Sequence, residues 1–184
     1  MKVFGMAIVV ALSAAGAGSG GARADETLSL METRVFKAPI ERVWQAWGDS
    51  DDVKAWWGPH GFSVPIAEMD FRVGGASLVC MQPEGGPKFC NTWRYRTLDA
   101  PRLIEFDMGW ADEHGNEVDP AAMGLPPDLP RVVPHRIVLE DLGDGTTRME
   151  ITEFGYTSEQ TVAISRSGLL QVLEKMAVLL GGAA

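Results

Sequence analysis

"SEQTVAISRSGLLQVLEKMAVLL", residues 158–180, is the longest stretch of the chain with a helical period. Leu169, Leu173, Met176 and Leu180 recur at steps of three and four, so they share one face. Everything between residues 63 and 154 reads differently. There, short runs alternate apolar and polar residues and are separated by Gly, Pro and Asp turns. A curved antiparallel sheet built from such strands buries one face. The last helix is the only predicted element long enough to cover it. The expected architecture is α+β, with about six to seven antiparallel strands wrapped around the C-terminal helix.

Working outward from that helix, "ETLSLMETRVF" (26–36) predicts a first strand, and Ala38-Pro39 opens a short helix with Val43, Ala46 and Trp47 on one face. Asp49-Ser50-Asp51 is an N-cap cluster for a second short helix that carries Trp56, and Gly58-Pro59 ends it. "SVPIAEMDFRV" (63–73) predicts a strand with Ala67, Met69, Phe71 and Val73 facing the core, turning at Gly74-Gly75. "ASLVCMQ", "KFCNTWRYRTL" and "RLIEFDMGW" continue the meander, and residues 111–130 form a long acidic loop rich in Pro and Gly. "HRIVLED" and "TTRMEITEF" make a last hairpin around Gly143-Asp144-Gly145. There is no internal repeat and no second domain.

The 184 residues are 46% hydrophobic and 22% charged, which suits one globular domain with a substantial core. The formal net charge of −9 argues against nucleic acid and against anionic membrane surfaces as partners. Residues 1–24 read as a secretory signal: Lys2, an apolar run, small residues, then Ala22-Arg23-Ala24 in the A-x-A form of a cleavage site. Cleavage after Ala24 leaves residues 25–184 as a single domain in the periplasm or outside the cell, with no stable membrane insertion after processing. The apolar run is shorter than the ~20 residues that span a bilayer; the competing reading is an uncleaved anchor. Cys80 and Cys90 flank "CMQPEGGPKFC", and a hairpin centred near Gly85 would set them opposite each other, within disulfide range. The alternative is two buried free thiols.

Five stretches occur together and in order: "RVFKAPIERVWQAW", "WWGPHGF", "DFRVGG", "ADEHGNEVDPAAMGLPPDLP" and "GLLQVLEKMAVLL". In these the chain resembles, over roughly residues 28–180, bacterial proteins similar to the C-terminal domain of the activator of the heat-shock protein 90 ATPase. Those proteins sit in the START-like, Bet v 1-like (SRPBCC) superfamily. The resemblance implies a helix-grip fold with a hydrophobic cavity, and no single chemistry. Two positions depart from the pattern: Leu169 follows Gly168 where relatives commonly carry tryptophan, and Thr97 stands where glutamate is common.

Several side chains are candidates for lining such a cavity. Trp56, Trp57 and Phe62 sit on a bend, where they either form the cavity mouth or plug one end of the core, with one ring inward and one on a neighbouring helix. Trp93, Phe106, Met108 and Trp110 lie on the central strands, and Met176 lies on the helix face. Glu68, Asp70 and Arg72 share a face and read as a cavity group or as a solvated ladder. In the last hairpin, Leu139 should face Met149, Ile137 should face Ile151, and His135 should face Glu153. A His–Glu pair at the end of an apolar stripe acts as acid and base, holds a ligand head group, or marks the strand's exit into solvent. Asp112, Glu113, His114, Glu117 and Asp119 have the composition of a metal loop, but the spacing fits neither an EF-hand nor a zinc site. No metal or cofactor is expected.

Three functions remain in play. The favoured one is an exported protein that binds a small hydrophobic molecule between sheet and C-terminal helix. A cyclase- or hydrolase-like enzyme would use the same cavity, with His135 and Glu153 as acid and base. A co-chaperone acting on an ATPase is disfavoured by the export signal.

Overall fold

The computed structural model describes residues 27–182. The predicted signal segment and its cleavage site lie outside the described residues. Strand β1 (Leu28–Phe36) leads into helices α1 (Ile40–Gly48) and α2 (Ser50–Trp56). Strands β2 (Phe62–Glu68), β3 (Ala76–Pro83), β4 (Phe89–Asp99) and β5 (Leu103–Ala111) follow. After a loop with one 3₁₀ turn (Pro120–Met123) come β6 (Val132–Asp141), β7 (Thr147–Tyr156) and the long helix α3 (Glu159–Leu179). The seven strands form one antiparallel sheet in the order β1-β7-β6-β5-β4-β3-β2. This is the helix-grip α+β architecture expected from the sequence.

Local chemistry sets each helix. Pro39, with extended backbone, precedes α1 and leaves Ile40, Val43, Ala46 and Trp47 buried along one side. The Asp49 carboxylate accepts from the backbone N–H of Asp51 and of Asp52 and so starts α2. The Ser158 hydroxyl accepts from the Thr161 N–H at the start of α3. Gly181 and Gly182, both at positive φ, end it, with the Gly182 N–H returning to the Ala177 carbonyl at 2.7 Å. Leu169, Leu173, Met176 and Leu180 are all buried against the sheet, as the helical period requires.

The strand expected over residues 63–73 stops at Glu68. Residues 69–75 form a turn instead, because the Arg72 N–H bonds the Asp70 carbonyl and the Gly75 N–H bonds the Arg72 carbonyl, which takes both out of the ladder. The turn is tight: a Cβ on Gly75 would lie 2.2 Å from the Asp70 carbonyl oxygen. Val73 is therefore 59% exposed and not part of the core, whereas Phe71 tucks its edge against Trp44 and Tyr95. Glu68, Asp70 and Arg72 stay outside the core, and Arg72 pairs with Asp70 at 2.8 Å. Tyr95 bonds the Ser77 hydroxyl at 3.0 Å beneath this turn, and burial pushes its phenol up to about 12, against a smaller opposing effect of that bond.

Cys80 and Cys90 face each other across β3 and β4 and are joined as a disulfide. Their sulfurs pack with Ala111, Ile66 and Leu78 in a small cluster of their own, apart from the main core.

Candidate functional site

Trp56 and Trp57, neighbours in sequence, part company at the end of α2. Trp56 is fully buried; its indole N–H donates to the Ala46 carbonyl at 2.8 Å and its ring meets Trp47 edge-on at 4.9 Å. Trp57 is half-buried and packs edge-on against Trp93 of β4 at 4.7 Å and against Trp56 at 5.5 Å. The Lys175 ammonium of α3 secures the bend by donating to the carbonyls of Trp57 (2.8 Å) and Gly58 (3.1 Å). Partial burial holds the Lys175 amine below its ordinary range.

The bend and α3 roof a cavity of about 120 Å³ on the concave face of the sheet. Trp57, Gly58 and Pro59 contribute one rim, and Gly168, Leu169 and Val172 of α3 contribute the other. Leu169, where relatives commonly have tryptophan, is thus a wall of the space. Thr97, the second departure, sits at an irregularity of the β4–β5 register and is not among the cavity's residues. The sheet side is apolar along Met81, Met108, Trp110 and Val133, and Leu129 of the loop before β6 adds to it.

The polar groups gather at β6 and β7. The register there pairs Leu139 with Met149, Ile137 with Ile151 and His135 with Glu153, as the hairpin reading required. His135 is 2% exposed, and its ring stacks on Phe106 with centroids 4.6 Å apart. Its Nδ1–H donates to the Val133 carbonyl at 2.8 Å, which leaves Nε2 to face Glu153 Oε1 at 3.4 Å. The Tyr156 hydroxyl donates to the other carboxylate oxygen of Glu153. Burial pushes the Glu153 carboxyl up, but the hydrogen bond and charge of His135, together with Tyr156, outweigh it and hold the group below its ordinary range. Burial, then the Glu153 charge, drive the Tyr156 phenol well above its ordinary range, so it serves as a donor.

Tyr156 reaches this face through a bulge. Strict alternation would put residue 156 opposite residue 153. The β1–β7 register steps from Ser29–Phe154 to Leu28–Tyr156, passing over Gly155, whose φ is +92°. The extra residue returns Tyr156 to the concave side.

Of the nine side chains singled out for ligand contact, the fold brings Trp57, Met108, Trp110 and His135 to the cavity, along with Glu153. Trp56, Trp93, Phe106 and Met176 do not line it; they are fully buried core. The reason is mutual packing: Trp93 stacks on Phe106 at 5.2 Å, and both contact Trp47. Phe62 lies near Phe89, with centroids 6.4 Å apart, and is not among the cavity's residues. Asn91, Tyr156, Ser165 and Val172 line the cavity without having been singled out. Asn91 shares the inward face of β4 with Trp93, two residues along, which was the available signal.

The carboxylates of the acidic loop are engaged within the loop or with basic side chains beside it. Asp112 accepts from the backbone of His114 and Asn116 and from the Asn116 amide, and Glu113 pairs with Lys88. Among the described residues, no group of three His, Cys, Asp or Glu side chains converges as a metal would need. Among the same residues, no helix is long and apolar enough to cross a membrane.

Similar folds are known. A solution structure of a protein from Arthrobacter aurescens is 30% identical, with a TM-score of 0.68 and coverage of 86% of this chain and 89% of that one. A crystal structure of a protein from Mycobacterium smegmatis is 27% identical, with a TM-score of 0.66 and coverage of 85% and 92%. The crystal structure of an AHSA1 protein from Silicibacter pomeroyi is 19% identical, with a TM-score of 0.68 and coverage of 84% and 98%, a likeness of fold. No curated protein matches the chain in sequence. Residues 37–181 match the family model described as Activator of Hsp90 ATPase homolog 1-like protein, so the chain belongs to that family, within the SRPBCC (Bet v 1-like) superfamily.

Proposed function

We propose that this protein is an exported binder of a small hydrophobic molecule. The observation that carries the reading is the cavity between the sheet and α3: apolar on most sides, with a buried polar trio at one end. Concave apolar spaces with a few placed polar groups are the usual form of a ligand site. At about 120 Å³ the space is smaller than the ~150 Å³ engineered cavity that holds benzene, so it suits a small ring or the tip of a chain. Export rests on the N-terminal sequence, and the disulfide is in keeping with an oxidising compartment.

The His135–Glu153 pair supports a second reading, acid–base catalysis in the same cavity, since both groups line it in close contact. The binding reading is preferred because the cavity is lined mostly by apolar side chains, with polar groups at only a few positions. Native mass spectrometry of the protein from a periplasmic fraction tests the proposal. A chain beginning at Asp25 that carries an apolar small molecule is the expected result. An unprocessed chain in the cytosol would refute export, and a protein that takes up no apolar compound from a cell extract would refute carriage.

A further inference from the structure

The helix α3 meets the bend at residues 57–60 along one stripe: Gly168, Gln171 and Lys175, spaced three and four residues apart. Two of the three tie the bend down. Lys175 donates to the carbonyls of Trp57 and Gly58, and the Gln171 amide oxygen accepts from the His60 N–H at 3.1 Å. Pro59 lies between these ties, and Gly168 comes up to it with no side chain: a Cβ there would lie 4.0 Å from Pro59 Cγ. The Pro59 carbonyl turns away from the helix to accept from the Phe62 N–H at 3.1 Å. Toward the sheet, by contrast, the bend is tight. A Cβ on Gly58 would lie 3.2 Å from Phe62 Cβ and 3.3 Å from Met81 Cβ.

Solvent exposure follows the same line. Of the residues that line the cavity, Trp57, Pro59 and Met81 on the side of the bend, and Ser165 and Gly168 on α3, keep partial exposure; the others are buried. The space therefore reaches solvent between the bend and α3. Nothing local demands a glycine at 168. It lies inside α3 without a positive φ, where glycine is less stable than alanine, and a methyl group would make only an ordinary contact with Pro59. What a side chain there would do is close the gap.

We infer that the cavity's mouth lies between Pro59 and Gly168, and that the missing side chain at 168 sets how fast an apolar ligand enters and leaves. The inference rests on the binding reading above and adds the route into that site.

Fluorobenzene is the probe: a single apolar ring whose fluorine resonance reports free and bound populations and the exchange between them. Gly168→Leu lays a side chain across the mouth and should slow entry and release together, each about 10-fold, with Kd nearly unchanged. Gly168→Ala should slow both about 2-fold and raise Tm. Ser167→Leu adds the same side chain one residue away, at an exposed position that does not line the cavity, and should leave both rates at their native values. Native rates in Gly168→Leu, or equal slowing by Ser167→Leu, overturn the mouth and leave the binding site standing. Lost affinity without slower release would make residue 168 a wall of the site and not its entrance, and also overturns the inference. No binding of fluorobenzene to the native protein overturns both readings. Should Gly168→Leu fail to fold, Gly168→Ala decides: a variant with raised Tm and native exchange rates refutes the mouth.

Discussion

Replacing Tyr156 with phenylalanine removes one hydroxyl from the centre of the cavity's polar group and leaves the ring in place. In the native protein that hydroxyl donates to a Glu153 carboxylate that is almost wholly buried and otherwise supported by His135. Hydrogen bonds to charged groups contribute ~1.5–3 kcal/mol, so Tyr156→Phe should cost about that much at neutral pH. For a chain of this size each kcal/mol lowers Tm by ~2–4 °C, which gives an expected drop of ~3–12 °C. The loss should depend on pH. Glu153 has a folded-state pKa below its ordinary value, so its contribution is full above the unfolded carboxyl pKa of ~4.3 and fades as pH falls through the lower folded value. Tyr156→Phe raises that folded value, so the variant sheds the contribution at higher pH than the native protein. The gap in Tm between the two should therefore be largest at pH 7 and narrow on acidification below pH ~4. Thermal unfolding by circular dichroism across this range measures it. A gap smaller than ~1 °C at neutral pH, or one that stays constant on acidification, would refute the argument that Tyr156 supports an ionised Glu153.

Trp56→Ala should cost ~3–5 kcal/mol in denaturant unfolding, because it empties a fully buried ring from a cluster with Trp47 and Trp93. Trp57→Ala, on the half-buried rim, should cost less; equal losses would mean the two rings are not divided between core and cavity as described. Replacing both cysteines by serine opens a loop closed over a separation of 10 residues and should lower stability by ~2–3 kcal/mol, and the native protein should gain about 2 Da on reduction. A double variant as stable as the native protein would count against the cross-link. Lys175→Met should loosen the Trp57–Gly58 bend, seen as faster amide exchange there with α3 otherwise protected; unchanged exchange would show that the bend holds without the ammonium.

Much of this was legible because the relevant information is local or strictly periodic. The His135–Glu153 pairing follows from a tight turn at Gly143–Gly145 and a two-residue period, and those two facts leave one register. The Cys80–Cys90 pairing follows from the same logic about a turn near Gly85. The strand over residues 63–73 misled because its apolar alternation runs past Glu68, whereas the backbone of Asp70, Arg72 and Gly75 closes on itself. Local hydrogen bonds there outcompete the ladder.

The sequence alone determined which residues could be buried: four leucine and methionine positions along α3, the inward stripes of the strands, and two tryptophans too close together to share a face. It could not say which aromatic rings would meet one another and which would stay at an edge. Burial is a property of one position, but filling a core is a property of all of them together, since packing to near-crystalline density leaves no ring free to choose alone. Trp47, Trp56, Trp93 and Phe106 consume one another's surfaces, and what remains uncovered beyond them becomes the cavity. Tyr156 depended likewise on a bulge at Gly155, set where Leu28 and Ser29 of β1 pair with Tyr156 and Phe154 of β7, far away in the chain and invisible to any window moved along the sequence.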